Sequence, residues 1–572
     1  MFMLQAASRP PSSRDSPRLR PEKTRSQLEF SQEHGLPPPE YSPSLHRSLR
    51  SDREQHRHAE EKATSHSAQP EEEKKSAAKK MPIMFTPRTS ILDYTELMYH
   101  GSDTIRGLVT CFWTIVGAYL VSILASHYER NGEFLSGDLA VLLFSRGKDL
   151  LLSDLALVVS TFFVVPFVRL LWVGGKWRPS FLDPRNSPYA IAIHAAVEIS
   201  WLVFWYGWQG TRGWPWIQRC FFSLHTAVNW MKVHSYLSTN RQLACVLRNK
   251  EDLITDRGSC KEADDEIRDS IQELDAQLCP YSNARFPQTL TVRNYFMFQL
   301  CPTLVYELEY PRTPRIRWLY VAEKMAGTAG IFAVFYVVVA HLMIPHLERM
   351  PQTGVLMTTV HLMGPMATCW LLFFFITFDS ISNGFAELTR FADRRFYDDW
   401  WNARGLDEFS RKWNRPVHLF LARHIYMPIR NNWHVYKSPA SSSLDDNGSK
   451  SKSDPKHKRT VNRLVRHLRI SIPAPMAAMA ATFFFSSILH EVTVVVACHR
   501  WNHGMLFFSQ MMQIPLIFAS DKVLWYKNQH ALRNWIFWLV MVFFQPFLLC
   551  LYTYKAFVSQ ETPSVMAATV GY

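Results

Sequence analysis

Nine cysteines are scattered along the chain and none forms a CxxC pair, so the spacing of a zinc or redox site is missing and they read as apolar filler and reduced loop thiols. No G-x-S-x-G elbow occurs, and "HEVTV" from His490 to Val494 lacks the second histidine of HExxH, which argues against a serine hydrolase and a zinc protease. The opening "MFMLQAASRPPSSRDSPRLR" has no apolar stretch of the signal-peptide kind. No long repeat and no duplicated pair of broken spans marks a transporter. The 63 Lys and Arg against 49 Asp and Glu sit in tails and loop edges without a nucleic-acid-binding motif, so no nucleic acid is expected as a partner.

Long apolar runs are what the chain does have. Its mean hydropathy of -0.11 would suit a soluble protein, but it averages polar tails with blocks long enough to cross about 30 Å of hydrocarbon. Windows at Gly107–Tyr128, Leu151–Val173, Ile191–Trp208, Tyr320–Ile344, Val355–Phe378, Ile472–Ala497, Met505–Ala519 and Trp535–Tyr554 qualify, with Trp214–Trp230 a weaker ninth. The expected class is all-α, a polytopic membrane protein of about eight or nine spans. Residues 1–85 are Pro-, Ser-, Lys- and Glu-rich and read as a disordered tail, cytosolic by its basic content, with the first span directing insertion into the endoplasmic reticulum. Residues 86–572 form the membrane domain, interrupted by a mobile Ser/Lys/Asp-rich insert at about 437–460. Ile267, Ile271, Leu274 and Leu278 recur at helical spacing and predict an amphipathic surface helix.

Four stretches carry chemistry. "FFFSSILHEVTVVV", Phe483–Val496, sets His490 and Glu491 inside a span, where ionisable groups are costly. On a helix Ser486, His490 and Thr493 share one stripe with Ser487 beside it, so His490 is either a hydrogen-bonder between helices or a base near pH 7. "FYDDWWN", Phe396–Asn402, is followed by Arg423 and His424. Its tryptophans suit an interfacial belt, but Asn402 needs a partner or a ligand. "WMKVHSY", Trp230–Tyr236, ends a span on Lys232, His234 and Ser235. "YPRTPRIRW" packs Arg312, Arg315 and Arg317 before the next span, to orient it or to meet phosphates.

Together, "YPRTPRIRW", "FYDDWWN" and "SSILHE", in that order, resemble the membrane-bound O-acyltransferase superfamily from about Thr86 onward. "MKVHSY", "FADRRFYDDWWN" and "LFFSQMMQIPL" are similar to its fungal-type sterol O-acyltransferase branch, while "RHIYMP" and "YELEYPRTPRIR" are shared with the diacylglycerol branch. The resemblance implies helices enclosing a reaction chamber, and transfer of a long-chain acyl group from acyl-CoA, a co-substrate, to a sterol 3β-hydroxyl, with no cofactor and no metal. It implies His490 as base, Asn402 near the reacting atoms, and Tyr397, Trp400 and Trp401 around the acyl-CoA channel. Glu491, Ser486, Ser487, His234 and His424 complete the residues expected against substrate, with Lys232, Arg312 and Arg315 toward the CoA head. A homodimer or dimer of dimers in the endoplasmic reticulum membrane is the implied assembly. A diacylglycerol acyltransferase, a transporter with His490 as proton relay and a membrane scaffold are the competing readings.

Overall fold

The computed structural model describes residues 85–92, 103–134, 141, 144–174, 183–185, 188–257, 264–280, 284–431, 473–498, 504–522 and 529–558. The expected tail, apart from Phe85, and the expected insert lie outside the described residues. Among the described residues the fold is all-α; β pairing is limited to two isolated bridges, Arg88 to Asp393 and Arg312 to Phe391.

Among the described residues six helices are long and apolar enough to cross a membrane: Gly147–Val173 (α2), Pro188–Gly210 (α3), Trp318–Glu348 (α7), Met350–Leu388 (α8), Ala474–Ala497 (α11) and His530–Tyr554 (α14). Each coincides with an apolar window of the sequence. The window at Gly107–Tyr128 is also a helix, Asp103–Asn131 (α1). The window from Met505 is broken into Met505–Met511 (α12) and Gln513–Lys522 (α13). The weaker Trp214–Trp230 stretch opens Trp216–Arg257 (α4), a 42-residue helix. At 1.5 Å per residue it runs about 63 Å, twice the hydrocarbon thickness. Its far end therefore lies outside the apolar layer, where the expected amphipathic helix, Asp264–Leu278 (α5), packs on it with Leu278 fully buried.

Between the spans, Val292–Leu300 (α6) starts at Thr291, whose side chain accepts the Asn294 N–H at 3.1 Å. Leu406–Trp413 (α9) is followed by Arg415–Leu421 (α10), capped by Asn414 onto Val417 N–H and continuing as a π turn, Ala422–Tyr426. The capping hydroxyl and amide satisfy N–H groups that a helix start leaves without partners.

The core is aromatic and forms around α4. Tyr236, Tyr295, Phe298 and Tyr306 meet edge to face with centroids 4.7–6.2 Å apart. A second knot stacks Trp370 of α8 flat on Trp413 at 4.2 Å and packs Trp400, Phe374 and Phe409 around them. Quadrupoles favour such edge-on and offset contacts over face-on sandwiches.

Helix α8 bends where its sequence permits. Gly354 sits at φ 76°, Pro365 removes a donor, and Phe375–Ile381 is a π turn. That turn carries Asp379, which Lys324 of α7 meets at 3.0 Å with both side chains under 10% exposed. A charge at this depth persists only when paired. Asp379→Leu alone should therefore lose about 3–5 kcal/mol. The double variant Lys324→Met/Asp379→Leu should recover most of the thermal midpoint of the purified protein, and a double variant as unstable as the single one would contradict this pairing.

Candidate active site

Helix α11 presents the His490 stripe. The His490 Nδ1 lies 2.7 Å from the Ser486 carbonyl. A carbonyl can only accept, so Nδ1 holds the proton and Nε2 keeps its lone pair. The His490 side chain is exposed in the isolated chain, whereas Ser487 is buried with its hydroxyl on Phe483 O, and Thr493 is buried with its hydroxyl on Leu489 O. Ser486 is half-buried and acts through its backbone. Phe485 packs on Trp230 of α4 at 5.5 Å, fixing this face of α11 against α4.

Glu491 turns to another wall. Its Oε2 accepts the Phe507 N–H and the Tyr552 hydroxyl, each at 3.0 Å, which ties α11 to α12 and α14. Its Oε1 is buried without a partner. The arrangement makes Glu491 a brace that sets where α11 stands.

In the "FYDDWWN" segment Phe396, Tyr397 and Trp400 are at most 2% exposed. The interfacial-belt expectation for Trp400 does not hold, because its indole belongs to the aromatic knot with Trp370 and Trp538. The Tyr397 hydroxyl pairs with Ser90 at 3.2 Å and accepts Leu92 N–H at 2.9 Å, so it clamps the segment ahead of α1. Trp401 is half-buried, and its carbonyl accepts from Asn534 and Trp538 of α14. These contacts hold the short 3-10 turn Trp400–Asn402 in place and leave Asn402 exposed, its amide donating to Asp399 at 3.4 Å. Among the described residues Asn402 and His490 share no hydrogen bond.

Lys232 is a structural tie. It is 5% exposed and donates to the carbonyls of Phe298, Gln299 and Cys301 at 2.8–2.9 Å. An ammonium has three N–H groups, and all are spent closing the end of α6, which leaves none for a CoA phosphate. The next turn of α4 carries a buried polar cluster. His234 Nδ1 donates to Glu198 of α3 at 2.9 Å, and His194 Nε2 donates to the same carboxylate at 2.6 Å. His234 lies 5.2 Å from His424, ring to ring. The Ser235 hydroxyl accepts Tyr306 N–H at 2.8 Å and sits 2.9 Å from His424 Nε2.

His194, Glu198 and His234 converge closely enough to ligate a metal ion, each offering one atom within 4.8 Å of the others. In the described state Glu198 is already met by both rings, so the cluster is satisfied by its own hydrogen bonds. His194 and Glu198 were passed over in the sequence because they lie in a window counted only for its apolar length. Their signal was the same as that of His490 and Glu491: two ionisable residues, here i and i+4, inside a span. Trp230 stacks on His234 and touches Phe485, so this cluster and the His490 helix are one aromatic contact apart.

The arginine stretch divides. Arg317 pairs with Glu387 at 3.1 Å, while Arg312 and Arg315 are exposed, without an acidic partner among the described residues. Arg423 pairs with the buried Glu307.

Burial, with His234 and Arg423 nearby, lowers His424 from the ordinary histidine range to about 2. The folded ring stays neutral while the unfolded ring titrates near 6.5, so the folded chain binds fewer protons below that pH. Stability should be level above pH 6.5 and fall as pH drops, by about 1.4 kcal/mol per pH unit for this ring. His424→Gln should flatten the fall between pH 6.5 and 5 in a thermal-midpoint series. His418, also lowered by burial, keeps a residual slope; an unchanged slope would contradict a neutral His424.

Residues 190–439 match the family model for MBOAT, the membrane-bound O-acyltransferase family. The chain is 29% identical to Sterol O-acyltransferase 2 of Saccharomyces uvarum over 79% of its own length and 66% of that protein's. It is 27% identical to Probable sterol O-acyltransferase 2 of Schizosaccharomyces pombe over 82% of its length and 91% of the relative's. It is also 30% identical to Diacylglycerol O-acyltransferase 1 of Dictyostelium discoideum, over 49% of the chain and 40% of the relative. The chain thus spans about two thirds of the budding-yeast relative and nearly all of the fission-yeast one. Over residues 190–439 the chain is thus similar to the membrane-bound O-acyltransferase family, and over most of its length to fungal sterol O-acyltransferases.

Proposed function

We propose that this chain is an acyl-CoA-dependent sterol O-acyltransferase of the endoplasmic reticulum membrane, esterifying a sterol 3β-hydroxyl with a long-chain acyl group and releasing CoA. The observation that carries the mechanism is the Nδ1–H bond from His490 to Ser486 O, which leaves Nε2 open as a base. Nε2 takes the hydroxyl proton as the sterol oxygen attacks the thioester carbonyl. The carbon–sulfur bond then breaks, and the imidazolium returns its proton to the departing CoA thiolate. A thioester is already activated, so no acyl-enzyme is needed. Asn402 orients the thioester or the acceptor, and preorganised donors of this kind are worth a few kcal/mol of barrier.

The sterol reading is supported by similarity over most of the chain to fungal sterol acyltransferases, against about half for the diacylglycerol relative. Sterol and acyl chain are membrane-soluble and can enter sideways, while the anionic CoA head arrives from the cytosol, where we place the N-terminal tail. Arg312 and Arg315, exposed and without acidic partners among the described residues, are the guanidiniums suited to meet it. Tyr397, Trp400 and Trp401 shape the donor's channel from behind, by holding the turn that carries Asn402.

Purified protein given labelled oleoyl-CoA should form steryl ester and CoA in equal amounts with ergosterol or cholesterol, and little product with diacylglycerol. Triacylglycerol as the main product would overturn the sterol assignment. His490→Ala and Asn402→Ala should lower turnover at least 100-fold with unchanged detergent-extracted oligomer size, and a fully active His490→Ala would sink the mechanism. Lys232→Met should lower the thermal midpoint without selectively raising the acyl-CoA KM; a raised KM at unchanged stability would return Lys232 to the CoA site.

A further inference from the structure

A cavity of about 820 Å³ opens beside the "FYDDWWN" segment, lined among others by Arg88, Ser90, Arg315, Arg317, Arg394 and Arg395. Three distant stretches build it, and backbone hydrogen bonds clip them together. Arg88 N–H donates to Ala392 O, and Arg394 N–H donates to Arg88 O. On the other side Ala392 N–H donates to Pro311 O and Thr313 N–H donates to Arg390 O. Arg390 holds φ 59°, the left-handed region that a non-glycine residue enters only under constraint, and its guanidinium returns to Thr313 O at 2.6 Å. The walls are therefore fixed by main chain as well as by side chains.

Positive charge exceeds negative at this site. Glu387 is shared by two guanidiniums, Arg317 at 3.1 Å and Arg394 at 2.5 Å. Asp398 is likewise shared by Arg395 and Arg415, at 2.5 and 2.8 Å. Asp393 neutralises Arg88 alone. Arg315 has no acidic partner among the described residues. Arg394 is 6% exposed and its Nη1 is buried without an acceptor. A guanidinium N–H left unsatisfied in a cavity of this charge fits an anionic oxygen, and the fork geometry of arginine suits phosphate.

We propose that this cavity recognises a phosphate group, either the 3′-phosphate and diphosphate of the CoA head or the phosphate of an anionic lipid. Its position fits both sources. Arg317 stands at the start of span α7 and Glu387 near the end of span α8, so the cavity lies at the membrane boundary. Arg394 and Arg395 run directly into Phe396–Asn402, which ties a bound phosphate to the segment that sets Asn402. The CoA source rests on the acyltransferase reading; the phosphate chemistry does not.

The test uses the full chain in nanodiscs of neutral phosphatidylcholine, with adenosine 3′,5′-bisphosphate in one arm, dioctanoyl phosphatidic acid in another and adenosine as the uncharged control. Binding by calorimetry should be seen for at least one phosphate probe and not for adenosine. Its Kd should rise at least tenfold in Arg315→Glu, and should rise with salt in the native chain. Arg394→Lys, which keeps a cation against Glu387 but removes the Nη1 donor, should weaken the same probe at unchanged elution volume. Nucleotide binding lost in Arg315→Glu assigns the CoA head, and lipid binding lost assigns the headgroup. No binding of either probe, or equal affinity in both variants, overturns the proposal. The readout needs no acyl transfer, so its failure leaves the acyltransferase reading standing, and absent ester formation with binding intact strikes only that reading.

Discussion

Polar groups placed among apolar helices must find partners, and that requirement organises this protein. A lone ionised side chain in hydrocarbon is unfavourable by several kcal/mol, and an unmade hydrogen bond there has no water to replace it. The fold answers at each point. Lys232 spends its three N–H groups on three carbonyls, Glu198 takes a donor from each of two imidazoles, Lys324 faces Asp379, and Glu491 holds two neighbouring helices. These ties connect segments far apart in sequence and set the helices around them.

Against that background the groups left open stand out. His490 gives one nitrogen to its own helix and keeps the other, and Asn402 is exposed on a turn whose neighbours are locked in an aromatic knot. Under the proposed mechanism the histidine serves as a base with a fixed tautomer, while its neighbour Glu491 ties α11 to α12 and α14. Groups held on rigid elements lose little when a substrate arrives, which is what the proposed catalysis by preorganisation requires.

Much of this was legible in the sequence, for reasons that differ by residue. Six spans could be read because membrane thickness sets a length that few other constraints imitate, and α5 because Ile267, Ile271, Leu274 and Leu278 repeat at the helical period. The stripe holding His490 was legible because helix geometry alone aligns Ser486 with it. The partners were not. The carbonyls that bind Lys232 lie 66 to 69 residues away, and no local pattern announces a main-chain acceptor. Trp400 looked like a surface anchor because aromatic composition suits an interface and a core equally, and only the stack of Trp370 on Trp413 decides between them. His194 and Glu198 were hidden by averaging hydropathy over a window, which conceals the single polar pair that matters most in it.

The central claim is that His490 Nε2 accepts a proton and never an acyl group. Purified protein mixed with labelled oleoyl-CoA in the absence of any acceptor, quenched within milliseconds and separated under denaturing conditions, tests it most directly. Direct transfer predicts no label on the protein and a steryl-ester burst only when sterol is added. A labelled protein adduct that forms with the native chain, is missing in His490→Ala and is chased into ester by sterol would contradict it.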